Sequence, residues 1–456
     1  MKTVSGGFHA LALIPLLAAL TFSQEIGEID ENALFSDTAI IMVDSSDLVV
    51  ASKSEDGIDS TVASFSGGVT AVAEAAVSRD WFSDRDRSEI DPSALMLGDL
   101  MLDVRLPLGM KAFIDAETFV SPDSQGLSFA VPELFLDANI NRRVYFRAGK
   151  QVLQWGRGYF WNPTDLINVE RKTFIEKIGS REGTFGIKTH VPFGTKWNIY
   201  GFMDMNDLSS VDSLAAAARL EALFGGTEAG VALWGKRGRV PIAGFDISAS
   251  IGKWSITGEL SLTDGSNYTV IDLEQSGLFT GDSDQDPITF KNLDDDPVVR
   301  LCAGFMRNFD FLDVDDRILV VGEFYYNQIG DRGNGFRKYR VGEKYDSIMT
   351  LPETNMLRQA AQIALIRGFE FNSMARYYGA FFVTINEFVA DDLTLQFNGL
   401  VNFNHHCAML TAGLTYMTLH NFTISCLATG YAGPEESEYT FTGTGGSVRL
   451  TAGIAF

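Results

Sequence analysis

The chain has 456 residues, and its 36 Lys and Arg against 59 Asp and Glu give a formal charge of −23. That balance argues against nucleic acid as a partner, because neutralising phosphates takes clusters of Lys and Arg. Three cysteines, Cys302, Cys407 and Cys426, are too few and too scattered for a disulfide framework or a metal cluster, and their odd number leaves at least one thiol free. The 44 Gly, 34 Phe and 13 Tyr suit tilted strands with aromatic girdles, and they would also suit a soluble β protein.

At the start of the chain, Lys2 precedes an apolar run from Phe8 to Leu20 and then Thr21, Phe22 and Ser23. This reads as a secretory signal peptide over residues 1–23, with cleavage near Ser23. A membrane anchor is the alternative, and the run falls short of the ~20 residues that a spanning helix needs. No later apolar segment reaches spanning length. A helical membrane protein is thereby excluded, whereas a membrane barrel is not, since its strands need only ~10 alternating residues. Residues 24–60 are acidic, with short apolar runs at 39–43 and 48–51. They are expected to form a segment before the barrel, at its mouth or in its lumen, or an extra strand pair.

From residue 62 to the C-terminus the pattern has period two, which predicts an all-β domain over 61–456 with eighteen candidate strands. The first is expected at 62–74, the second at 98–108, the fifth at 143–152 and the last at 446–456. In the eleventh, Trp254, Ile256, Gly258, Leu260 and Leu262 alternate with Ser255, Thr257, Glu259 and Ser261. The long insertions, 75–97, 153–181, 263–297, 329–374 and 431–445, all follow odd strands, and the connections after even strands are short. Sorting of loops to one end is a property of antiparallel transmembrane barrels and not of sandwiches. Some strand boundaries are ambiguous, so sixteen strands is the alternative count, and 357–369 would also suit a short amphipathic helix within its loop.

The last eleven residues place Val448, Leu450, Ala452, Ile454 and Phe456 on one face and Arg449, Thr451 and Gly453 on the other. This segment resembles the closing strand of bacterial outer-membrane β-barrels, and the resemblance implies that Phe456 is the signal read by the barrel-assembly machinery. A second resemblance lies after the fifth strand. The run Gly149, Lys150, Gln151, then Trp155, Gly156, Arg157, Gly158, then Trp161, Asn162, Pro163, Thr164, Asp165 is similar to one in porin-like outer-membrane families of mostly unknown function. In general porins the corresponding third loop folds into the lumen. By that resemblance Arg157, Asp165, Glu170, Arg171 and Lys172 are candidates for a charged constriction.

The residues themselves suit inward folding. Gly156 and Gly158 permit tight backbone, Asn162 before Pro163 favours a turn, and Trp155, Tyr159, Phe160 and Trp161 supply apolar mass. These aromatics and Arg157 either select solutes or anchor the loop. On the wet faces of strands two to six, Asp103, Arg105, Asp115, Glu117, Glu133, Asp137, Arg143, Arg147 and Lys188 are expected to line the lumen, as a stiffening ion-pair network or as a ladder for solutes.

Catalysis and metal binding find little support. Residues 281–286 begin like a calcium loop, but Pro287 and Leu293 stand where the glycine and the bidentate Glu belong. No nucleophile elbow or phosphate-cradling loop is present, and no cofactor is expected. The expectation is a barrel in the bacterial outer membrane, surrounded by its lipid, that passes small hydrophilic solutes, with homo-oligomerisation left open. A non-conducting surface barrel that binds through its long loops, as an adhesin or structural protein, is the competing reading, and an outer-membrane hydrolase is third.

Overall fold

The computed structural model describes residues 50–51, 61–79, 88–122, 126–153, 155–166, 183–265, 269–271, 290–292, 297–312, 314–333, 347–348, 350–352, 355, 358–359, 361, 371–417, 421–434, 437–440 and 444–456. Eighteen strands form the barrel: β1 (Val62–Arg79), β2 (Ser88–Leu106), β3 (Met110–Val120), β4 (Leu127–Ile140), β5 (Val144–Gln151) and β6 (Thr184–Phe193). The next six are β7 (Trp197–Asp204), β8 (Ala215–Phe224), β9 (Thr227–Lys236), β10 (Ile242–Ile251), β11 (Trp254–Asp264) and β12 (Pro297–Phe311). The last are β13 (Val314–Asn327), β14 (Tyr377–Ile385), β15 (Leu393–Asn402), β16 (Cys407–Met417), β17 (Phe422–Ala432) and β18 (Thr444–Ala455).

Each strand pairs antiparallel with the next, and β18 returns to β1 in the register Gly68 with Ala455 through Val77 with Gly446, which closes the sheet. Closure gives each of the eighteen strands a partner on both sides within the ring. Connections after even strands span two to seven residues, and the longest ones follow β5, β11 and β13. The two kinds therefore sit at opposite ends.

Burial is inverted relative to a soluble protein. Large apolar side chains such as Phe65, Leu100, Leu136, Leu233, Phe245, Leu414 and Ile454 are exposed, while Glu74, Arg219, Asp246, Glu259, Glu323, Gln396 and Arg449 are buried. Exposed apolar residues alternate with the residues of the other face, so one face of the closed sheet is an apolar outer belt and the other is an interior that holds these charges together with buried aromatics such as Phe135 and Trp234. Inside, Arg449 of β18 donates to Glu74 of β1 at 2.9 Å, an ion pair across the closing seam.

One hairpin is longer than its sequence indicates. β1 runs on to Arg79 and β2 begins at Ser88, so the expected 75–97 insertion shrinks to 80–87. Pro92 and the small residues around it read as an interruption. They are tolerated because β3 pairs with β2 only from Met96 onward, which leaves 88–95 as an edge where the missing amide of Pro92 does no harm. Of residues 24–60 the structure describes Val50 and Ala51, which pair with Ala63 and Val62 of β1. Residues 358, 359 and 361 are helical, and most of 357–369 lies outside the described residues.

Candidate functional site

The segment after β5 leaves the wall through Gly149, whose φ is +132°, and a Cβ there would lie 2.2 Å from the carbonyl oxygen of Leu134. Only glycine fits that approach. Beyond it, Val152 donates its amide to Glu133 Oε1 at 2.7 Å, and the buried Gln151 side chain donates to the Gly186 carbonyl at 3.2 Å. The chain then turns across the interior. Leu153, Trp155 and Leu166 pack with Tyr200, Phe202, Ala217, Ala232, Trp234 and Ile242, which lie on β7 to β10. Phe160 and Trp161 pack with Cys302, Tyr325, Tyr378, Ala380 and Leu400 on β12 to β15, with Trp161 stacked on Tyr325 at 5.3 Å.

Between these two anchorages the loop is held by carboxylates of the wall. Glu259 of β11 accepts the amides of Arg157, Gly158 (2.5 Å) and Thr164 (3.1 Å), and also the Thr164 hydroxyl at 2.8 Å. Glu323 of β13 accepts the amides of Tyr159 (2.7 Å), Phe160 (3.2 Å) and Trp161 (2.5 Å). Such a loop has no ladder of its own, and a buried amide without a partner is costly, so two carboxylates satisfy the donors that the loop cannot. Gly156, at φ +103°, lies against Glu259, where a Cβ would come within 2.8 Å of Oε1. Trp161 Nε1 donates to the Asn372 carbonyl at 2.9 Å.

Arg157 reaches into a cluster of acids. Its Nε donates to Asp246 Oδ1 at 3.1 Å, and its terminal nitrogens pair with Glu221 and Glu228. Arg219 also binds Asp246, at 2.5 and 2.8 Å. Two guanidinium groups thus face four carboxylates, Glu221, Glu228, Asp246 and the neighbouring Glu259. The arrangement compensates each Arg while leaving an excess of acid on this part of the wall.

The residues expected from the sequence fall into three groups. Arg157 is half-buried, Asp165 is buried and accepts the Trp155 amide at 3.3 Å, and Glu170, Arg171 and Lys172 lie outside the described residues. Trp155, Phe160 and Trp161 are buried, and Tyr159 is half-buried. On the inner face of β2 to β6, Asp103 pairs with Lys111 at 2.8 Å and lies 3.7 Å from Arg105, and Asp137 forms a two-bond pair with Arg147 at 2.7 and 3.0 Å. Asp115 stands opposite Glu133, and Glu117 opposite Asp99. Arg147 lies over the Phe135 ring at 3.8 Å, and Lys188 over Tyr200 at 5.5 Å. Arg143 departs from this face, because it lies exposed in the turn 141–143, where the chain reverses between β4 and β5.

Sequence reasoning confined to strands two to six missed Arg219, Glu221, Glu228, Asp246, Glu259 and Glu323. For Glu259 a signal existed: it is a carboxylate on the wet face of an alternating strand, among Ser255, Thr257 and Ser261. Also missed was a knot at the long-loop end. Buried Glu438 accepts the Asn372 amide (2.5 Å), the Tyr378 hydroxyl (2.8 Å) and the Asn402 side-chain amide (2.6 Å), while His405 meets Asp331 at 3.1 Å. Burial raises the Glu438 carboxyl above the usual carboxylate range. All three cysteines are free thiols.

No protein-family model matches the chain, and no curated protein matches its sequence. Solved structures do match. OccK2 (OpdF) of Pseudomonas aeruginosa, in complex with glucuronate, superposes with a TM-score of 0.52 at 8% identity, covering 86% of this chain and 98% of that one. The fold is shared with outer-membrane channel barrels. OccAB3 of Acinetobacter baumannii (TM-score 0.50, 8% identity, 86% of this chain and 99% of that one) and OccK9 (OpdG) of P. aeruginosa (0.50, 10%, 86% and 98%) give the same result. At these identities the likeness establishes architecture.

Proposed function

We propose that this chain is an outer-membrane channel for passive diffusion of small hydrophilic solutes, with the loop after β5 narrowing its lumen. The observation that carries the reading is the fastening of residues 157–164 to the inner wall by Glu259 and Glu323, on strands far from β5 in the chain. A closed barrel of this strand number has an interior wide enough for water, and a loop drawn across it sets the width of what remains. In this reading the short turns face the periplasm, the long loops face outward, and Phe456 is the mark read by the assembly machinery. The excess acid favours cations at the entrance, with Arg157, Asp165, Glu170, Arg171 and Lys172 tuning passage near the loop. The bound glucuronate of the P. aeruginosa structure makes a sugar acid one useful test solute.

Planar-bilayer recording of the purified protein tests the proposal. Discrete conductance steps are expected, and the double variant Glu259→Gln, Glu323→Gln should show larger or noisier steps as the loop loosens. Absence of conductance after verified insertion overturns the channel reading in favour of a surface-binding barrel.

A further inference from the structure

The outer belt is apolar strand after strand, and Arg307 breaks it. It belongs to the outward series of β12 with Leu301, Phe305 and Phe311, all exposed. Its partners across the sheet, Trp254 of β11 and Val320 of β13, face outward as well. The guanidinium carbon lies 4.7 Å from the Trp254 ring centroid and 4.5 Å from that of Phe309. Trp254 in turn meets Phe305 and Phe309 edge-on at 5.7 and 6.4 Å, so the rings support one another.

This cation makes no ion pair among the described residues, although its charge acts on nearby Asp310. The neighbouring acid Asp310 is engaged by Lys253 at 2.8 Å, and no carboxylate of the described residues lies within ion-pair distance of Arg307. Its Nε is buried and has no hydrogen-bond partner. Its level in the barrel is also telling. Trp254 opens β11 directly after the turn at 252–253, and Phe311 closes β12, so the site sits at the short-turn rim. At the same rim lie the outward pairs Trp197 with Phe224 (5.7 Å) and Phe65 with Phe456 (6.2 Å), an aromatic girdle of the kind that marks the boundary between hydrocarbon and headgroups. Arg exposed to lipid is costly at the midplane and nearly free at that boundary, where phosphates are within reach.

We propose that Arg307, clamped by Trp254 and Phe309, is a binding site for the phosphate of a membrane phospholipid. The guanidinium is planar, permanently charged and able to give two parallel N–H bonds to phosphate oxygens, while the rings hold it in place and meet the acyl chains. The site rests on the barrel's being embedded in lipid and is independent of whether it conducts.

Acyl-brominated lipids, which quench tryptophan on contact, provide the test with the full-length protein in dodecyl maltoside micelles. The Trp254 signal is the difference between wild type and Trp254→Phe. Brominated phosphatidylglycerol should quench it at about one fifth of the concentration needed for brominated diacylglycerol, which has the same tails and no phosphate, as expected for one Arg near a membrane surface. Arg307→Gln should make the two lipids equal, and Arg307→Lys should retain part of the preference. Equal quenching in wild type overturns the proposal, and that comparison stands even if a variant does not fold. An undiminished preference in folded Arg307→Gln overturns it too. Loss of the preference on adding equimolar inorganic phosphate reassigns the site to a free anion. Quenching by neither lipid removes the membrane reading with it, whereas bilayer conductance failing alone leaves this site intact.

Discussion

Glu259 and Glu323 illustrate what a single carboxylate accomplishes inside a barrel. Each accepts several amides of a loop that has no strand partner, with both oxygens engaged. Replacing Glu323 with Gln substitutes an amide nitrogen for one acceptor and leaves a buried donor facing a donor, at a cost of about 1–3 kcal/mol for each orphaned group. Limited proteolysis within 153–166 is therefore expected to speed up at least several-fold in Glu323→Gln; unchanged cleavage would mean that the aromatic packing of Phe160 and Trp161 suffices. Glu438 makes a different prediction, because burial raises its carboxyl above the ordinary range. A raised folded-state value means that its contribution to stability is complete below the unfolded value and is lost as pH rises through the folded one. Amides of 437–440, corrected for intrinsic exchange, should be better protected at about pH 5 than at about pH 8, and Glu438→Gln should flatten that difference.

The strands interlock through glycines that make room for rings on the neighbouring strand. A Cβ on Gly399 of β15 would lie 2.2 Å from the Phe381 ring on β14, and one on Gly322 of β13 would lie 2.5 Å from Phe305 on β12. The ring covers a backbone stretch that would otherwise present no side chain to lipid. Gly399→Val should lower barrel stability by about 1–3 kcal/mol through overpacking, read from the denaturant midpoint of the folded band on a gel. Adding Phe381→Leu should recover part of the loss, and a failure to recover would show that the strain lies in the backbone. At this scale the sequence was informative where alternation was strong. It failed in the β1–β2 hairpin, because Pro92 and a run of alanines carry no strand signal and only the absence of a β3 neighbour makes Pro92 acceptable.

Closure of the ring depends on the C-terminus. The amide of Phe456 donates to the Gly67 carbonyl at 2.8 Å, and the Gly67 amide donates back at 2.9 Å, while the Phe456 ring lies 6.2 Å from Phe65. Phe456→Ala keeps both backbone bonds, so detergent-refolded protein should lose no more than about 1–2 kcal/mol of stability. In cells, yield of the inserted barrel should fall far more than that loss explains if the terminal aromatic is the assembly mark. Parallel losses in both measurements would reduce Phe456 to a packing residue.

The alternation of side chains, the sorting of loop lengths and the two-faced final strand were determined by the sequence alone, because strand periodicity is local and a closed sheet in lipid forces apolar residues to one side. The eighteen strands were legible on that basis, and so was the unusual composition of the segment after the fifth. What the tertiary structure decided was the partnership. Arg157 meets Glu221, Glu228 and Asp246, and Glu259 of β11 caps a loop about a hundred residues before it, through bonds between elements that the closed ring brings together. Spacing along the chain carries no record of which inner faces will confront one another across a lumen, and that confrontation gives each buried charge its role.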